Sequence, residues 1–140
     1  MPNFSGIAKD FKFGLATELN SKELIENHLD IKLDKYDNTY AIMDFFNYDK
    51  KVIVEVKSRR NKSSAYPTQL IGDNKYQRAL KKIKEGFKVY FSWRLTDKML
   101  IYRVGDTEPD IVYLGNFKNG EEAQKLRKIK NSECEIITYN

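Results

Sequence analysis

The sequence predicts an α/β domain in which helices flank a central sheet, with a small αβ elaboration at the C-terminal end. Three observations carry this expectation. Apolar residues recur at helical spacing over 14–29 and 73–85; runs of β-branched and aromatic residues at 40–46, 52–57, 88–93 and 99–104 read as strands; turn-prone residues separate them. With 140 residues, 41% of them hydrophobic, the chain has material for one core, so a single domain over 1–140 is expected, its core at about 14–104 and the elaboration at about 105–140.

Residues 1–12 carry Pro2 and Gly6 without a clear period and read as a tail or lead-in. From Gly14 to Leu29, Leu15, Leu19, Ile25 and Leu29 fall within an arc of roughly 120° at about 100° per residue. Glu18 lies in the same arc, and a carboxylate turned toward a core needs a partner. Lys22, four residues on, could be that partner; Glu26 shares the arc, and Asn20 with Glu23 could instead open a separate helix. Residues 30–39 are polar and turn-prone. Asp30, Asp34 and Asp37 lack the glycine and closing glutamate of a calcium loop, so a solvated connection is expected.

Tyr40–Phe46 and Val52–Lys57 read as strands joined at Asn47–Lys51, a spacing that suits a hairpin. Alternation puts Val52, Val54 and Val56 on one face and Ile53, Glu55 and Lys57 on the other. Asp44 and Glu55 are roughly equidistant from the turn, so antiparallel pairing brings them together. Two carboxylates with a lysine alongside are the inventory for metal-assisted phosphodiester hydrolysis: hard oxygens hold a divalent cation, and an ammonium balances charge on phosphorus. The plain alternative is a solvated, salt-bridged strand face.

Ser58–Gln69 follows, with Arg59, Arg60, Lys62 and Tyr66 among small polar residues, the composition of a mobile phosphate-contacting loop or of an exposed loop with solubilising charges. Asp73 or Asn74 can cap a helix that runs to Glu85 and stops at Gly86. Tyr76, Ala79, Leu80 and Ile83 form its core face. Lys75, Arg78 and Lys82 form a flanking stripe that suits a nucleic-acid backbone or plain solvent. Strands are expected at Lys88–Trp93 and Met99–Val104, then a turn at Pro109, a strand at Ile111–Leu114, a charged helix near Glu121–Lys130 and a strand at Glu135–Thr138.

A net charge of +5 favours an anionic partner. The single cysteine, Cys134, excludes an internal disulfide, and with His28 as the only histidine a His/Cys zinc site is excluded. No window approaches the ~18 apolar residues of a membrane span, so an intracellular protein is expected. Abundant Lys, Asn, Ile and Tyr suggest an AT-rich genome, viral or low-GC bacterial.

Asp44, ten intervening residues, then Glu55-Val56-Lys57 on a strand resembles the signature of the PD-(D/E)XK nuclease superfamily, which includes type II restriction enzymes, Holliday-junction resolvases and phage-type exonucleases. Met43 stands where the signature has proline, a position that varies. The order of elements over about 14–104 is similar as well. The resemblance implies a restriction-endonuclease-like core with a mixed central sheet, and a deoxyribonuclease dependent on Mg²⁺ or Mn²⁺, endonuclease rather than exonuclease. It implies Asp44, Glu55, the Val56 carbonyl and Glu18 as metal ligands, with Lys57 positioning water or stabilising negative charge. A supporting basic or amide residue is implied near the second helix, where Gln69, Lys75 and Gln77 are equally eligible. Arg59, Arg60, Lys62, Tyr66, Gln69, Lys75, Arg78 and Lys82 would contact nucleic acid, with DNA favoured, RNA open and a homodimer or structure-selective enzyme in view. Two other classes stay open: an inactive nucleic-acid-binding module using aromatics such as Tyr66, Tyr76 and Trp93, and a structural protein with Asp44, Glu55 and Lys57 as a buried ion network.

Overall fold

The computed structural model describes residues 20–35, 44–115 and 123–139. Helix α1 covers 20–29, followed by β1 (Asp34–Lys35), β2 (Phe45–Asn47), β3 (Val52–Ser58), β4 (Thr68–Gly72), α2 (Asp73–Lys84), β5 (Lys88–Arg94), β6 (Lys98–Arg103), β7 (Asp110–Leu114), β8 (Gln124–Lys130) and β9 (Glu135–Thr138). The main sheet has the order β1-β2-β3-β5-β6-β9, and its β3–β5 pair is parallel among antiparallel neighbours. A second, antiparallel sheet has the order β4-β8-β7. This is the mixed α/β architecture expected, with a mixed central sheet and two helices.

The alternation of β3 divides the interior. Val52, Val54 and Val56 pack with Ile25 of α1, Phe45, Met99, Ile101 and Ile137. Ile53, on the opposite face, packs with Tyr76 and Ala79 of α2, Phe91, Trp93, and Ile71 and Ile129 of the second sheet. One face of the main sheet is thus covered by α1, the other by α2 and the second sheet. The end of α2 is as expected: Gly86 takes φ +98°, a left-handed conformation that favours glycine after a helix.

Several expectations are corrected. The 30–39 connection contains the edge strand β1, held by β2. The hairpin turn sits one residue later than read, since Asn47 still pairs with Val52. Thr68–Gly72, assigned in part to a loop, is a strand leading straight into α2, whose N-cap is Gly72 rather than Asp73 or Asn74. The charged segment 124–130 is a strand, not a helix. It lies between β4 and β7, where ladder hydrogen bonds on both sides outweigh helix propensity, and it buries Arg127 and Ile129 on one face while Lys128 and Lys130 stay exposed on the other. Strand β9, expected within the C-terminal elaboration, joins the main sheet beside β6. Leu15, Leu19 and Glu18, and the stretch 36–43 that begins the first expected strand, lie outside the described residues.

Candidate active site

The hairpin register sets the acid pair. Phe45 faces Val54, so the next step places Asp44 opposite Glu55. The Asp44 amide donates to the Val54 carbonyl at 3.2 Å, and its Oδ2 accepts the Val56 amide at 2.6 Å, which ties the carboxylate back across β3. Glu55 is only 7% exposed, and its buried Oε2 has no hydrogen-bond partner. Lys75 Nζ, from the first turn of α2, stands 3.7 Å from that oxygen. Of the three eligible supporting residues, the structure brings Lys75 to Glu55. Gln69 is buried with its amide on Asn131 (3.1 Å), and Gln77 reaches Asp73 (3.4 Å).

Burial pushes the Glu55 carboxyl above its ordinary range; the Asp44 charge adds to this, while Lys75, Lys57 and Arg78 oppose it. Burial pulls Lys57 below the usual lysine range, reinforced by the charges of Lys75 and Arg59 and by contact with Lys75, against Glu55. Asp44, Glu55, Lys57, Lys75 and Arg78 therefore share one electrostatic neighbourhood. Beside it lies a cavity of about 240 Å³ lined by Glu55, Lys75, Arg78, Lys82, Ile53 and Phe91, so the basic stripe of α2 shares this cavity with Glu55. Lys82 also pairs with Glu85 at 3.1 Å.

The loop after β3 is tied down at both ends rather than merely solvated. Ser63 donates its amide and hydroxyl to Asp97 (2.8 and 2.7 Å), and Asn131 donates to the Tyr66, Pro67 and Ser63 carbonyls (2.8, 2.9 and 3.3 Å). It presents Arg59, Arg60, Lys62 and Tyr66 as exposed residues. Nothing in the sequence singled out Asn131; its role follows from contacts across more than sixty residues of chain. Of the aromatics offered as a binding surface, Trp93 is 1% exposed and belongs to the core, and Tyr76, at 4%, lies on the core face of α2 as its spacing indicates, beneath the Arg127 guanidinium. Cys134, its thiol pushed up to about 12 by burial, packs against the core, and His28 meets Glu135 at the surface (3.5 Å).

The donor set suits a hard divalent cation: two carboxylates, one with a buried oxygen that accepts no hydrogen bond and meets the Lys75 ammonium only at 3.7 Å. Among the described residues no group of three His, Cys, Asp or Glu side chains converges.

Residues 12–126 match the family described as "phage putative PDDEXK endonuclease", and the chain belongs to that family, within the PD-(D/E)XK nuclease superfamily. The match spans the acidic hairpin and all of α2. Members of the superfamily generally use divalent metals on nucleic acid, and the phage description agrees with the viral one of the two sources, viral or low-GC bacterial, that composition suggests. Neither a curated protein nor a solved structure is significantly similar to the chain. Among the described residues no helix is long and apolar enough to cross a membrane.

Proposed function

We propose that the protein is a Mg²⁺- or Mn²⁺-dependent endonuclease that hydrolyses phosphodiester bonds in DNA. The observation that carries this reading is the buried Glu55 carboxylate opposite Asp44, whose Oε2 accepts no hydrogen bond, with Lys57 and Lys75 beside it. Asp44, Glu55 and the Val56 carbonyl would hold the cation, with Glu18 as a further ligand. The chemistry a bound cation supplies is charge withdrawal from the scissile phosphate and acidification of a water. Lys57, with its proton affinity lowered, orients the attacking water and balances charge on phosphorus. Lys75 offsets part of the burial cost of an ionised Glu55, and Arg78 and Lys82 hold a neighbouring phosphate along the cavity.

The test is a panel of plasmid, linear duplex, single strand, branched duplex and RNA, incubated with Mg²⁺, Mn²⁺ or EDTA. Metal-dependent cutting of DNA is expected. Salt-sensitive binding without cutting, unchanged in Glu55→Ala, would replace the nuclease with a binding module. In parallel, Mg²⁺ is expected to raise the melting temperature of the wild type but not of Asp44→Ala; equal shifts would remove Asp44 from the site.

A structural ion network makes the opposite stability prediction. Since burial outweighs the surrounding cations at Glu55, its ionised form disfavours the metal-free fold at neutral pH. Glu55→Gln is therefore expected to leave metal-free stability unchanged or higher. A loss of about 3 kcal/mol in urea unfolding, the cost of breaking a buried pair, would favour the structural role.

A further inference from the structure

A second cavity, of about 440 Å³, opens beyond the pinned loop, on the face of the second sheet turned away from the core. The register puts Leu70 of β4 opposite Lys128 of β8, and Val112 and Leu114 of β7 on the same face, while Ile71, Arg127 and Ile129 point inward. Leu70, Val112 and Leu114 floor the groove, exposed Arg59 and Lys128 stand at its rim, and Tyr66, 61% exposed, forms a wall. An apolar floor, an exposed ring and two cations together fit a ligand that is flat, apolar on its faces and anionic at its edge.

We propose that this groove takes an unpaired nucleotide of the substrate strand, its base stacked on Tyr66 over the apolar floor and its flanking phosphates on Arg59 and Lys128. This rests on the nuclease reading and specifies its substrate: single-stranded or branched DNA in preference to continuous duplex. Three points support it. A volume of this size lies within the roughly 300–1,000 Å³ of sites that enclose small ligands. A duplex keeps its base faces stacked inside and offers the groove only phosphates, whereas an unpaired base has a free π-face for an aromatic platform. Arg59 follows Lys57 by two residues, about 7 Å of extended chain at roughly 3.3 Å per residue, so the groove begins within a few nucleotides of the acids. The hydrogen bonds from Asn131 to the Tyr66 and Pro67 carbonyls hold the platform in place before any strand arrives.

The experiment measures binding in EDTA, where no cutting occurs, to oligonucleotides carrying 2-aminopurine as a single strand, a forked duplex and a blunt duplex. The wild type is expected to bind single strand and fork more tightly than blunt duplex and to quench the unpaired 2-aminopurine. Tyr66→Ala should weaken the first two about tenfold, abolish the quench and leave blunt-duplex binding unchanged, while Tyr66→Phe retains wild-type behaviour. Equal weakening on all three, no change on any, or a wild-type preference for blunt duplex overturns the groove. Cleavage of the same DNAs with Mg²⁺ separates the two readings. If blunt duplex is cut as fast as fork in wild type and Tyr66→Ala alike, the groove fails and the nuclease stands. If nothing is cut yet Tyr66 governs binding, the nuclease fails alone.

Discussion

Glu55→Gln and Lys57→Ala are each expected to lower metal-dependent cleavage by roughly 10²–10³-fold, yet by separable routes. Glutamine keeps the shape of Glu55 but removes the charge that a buried divalent cation requires, so this variant loses both cutting and the Mg²⁺-induced rise in melting temperature. Lys57 contributes no ligand. Its loss removes the group that handles water and developing charge while leaving Asp44 and Glu55 in place, so Lys57→Ala should still be stabilised by Mg²⁺. Thermal melts with and without Mg²⁺, run beside single-turnover cleavage, read out both quantities. Unaltered cleavage in Glu55→Gln would move the chemistry elsewhere, and a lost Mg²⁺ shift in Lys57→Ala would make Lys57 part of the binding shell.

The largest expected stability effect lies at the joint between α2 and the second sheet. Asp73, in the first turn of α2, accepts from Arg127 Nε at 2.7 Å and faces Lys125 Nζ at 3.5 Å. Arg127 is 7% exposed, and it also donates to the Pro109 carbonyl at 3.0 Å and lies 4.6 Å from the Tyr76 ring centroid. Asp73→Ala leaves that guanidinium buried without its counterion and is expected to cost about 3 kcal/mol; removing both charges in Asp73→Ala with Arg127→Met should recover much of it. Urea unfolding of the two singles and the double measures the coupling.

The same pair sets a pH dependence. The hydrogen bond from Arg127 holds the Asp73 carboxyl below its ordinary 3.8, so the unfolded chain binds this proton more readily than the native one. The contribution is complete above that value and is lost as pH falls through it toward the lower native value. As pH falls through 3.8 and below, the wild type should lose stability more steeply than Asp73→Asn, and parallel curves would contradict the assignment. Lys75 lies two residues from Asp73, so a loosened joint should also reduce cleavage by displacing the cation from Glu55.

What could be read from the chain follows the strength of local signals. The two-residue alternation of 52–57 comes through as a strand whose two faces feed separate clusters, and the helical spacing of Tyr76, Ala79, Leu80 and Ile83 as the face of α2 turned to the core. The acid pair was readable for the same reason: hairpin geometry depends on nearby residues alone. Strands β4 and β8 were missed because their pairing joins segments nearly sixty residues apart, and the three lysines of 124–130 carry no strand propensity of their own. Lys75 could be named as a candidate but not chosen over Gln69 or Gln77, because the choice depends on how α2 lies over β3. Glu18 lies outside the described residues, and its place at the site remains part of the proposal.

The parallel pairing of β3 with β5 also orders events in time. The β2–β3 and β5–β6 hairpins close locally, within microseconds for an ordinary hairpin, whereas β3 and β5 meet only after the intervening chain has carried β4 and α2 across. Non-local closure of this kind sets folding rates in domains of this size. The two acids can thus be neighbours early, while Lys75 arrives with the slower docking of the crossover. Trp93, the only tryptophan, lies on β5 and becomes buried in that docking, so its fluorescence during refolding marks when the anionic and cationic halves of the site first meet.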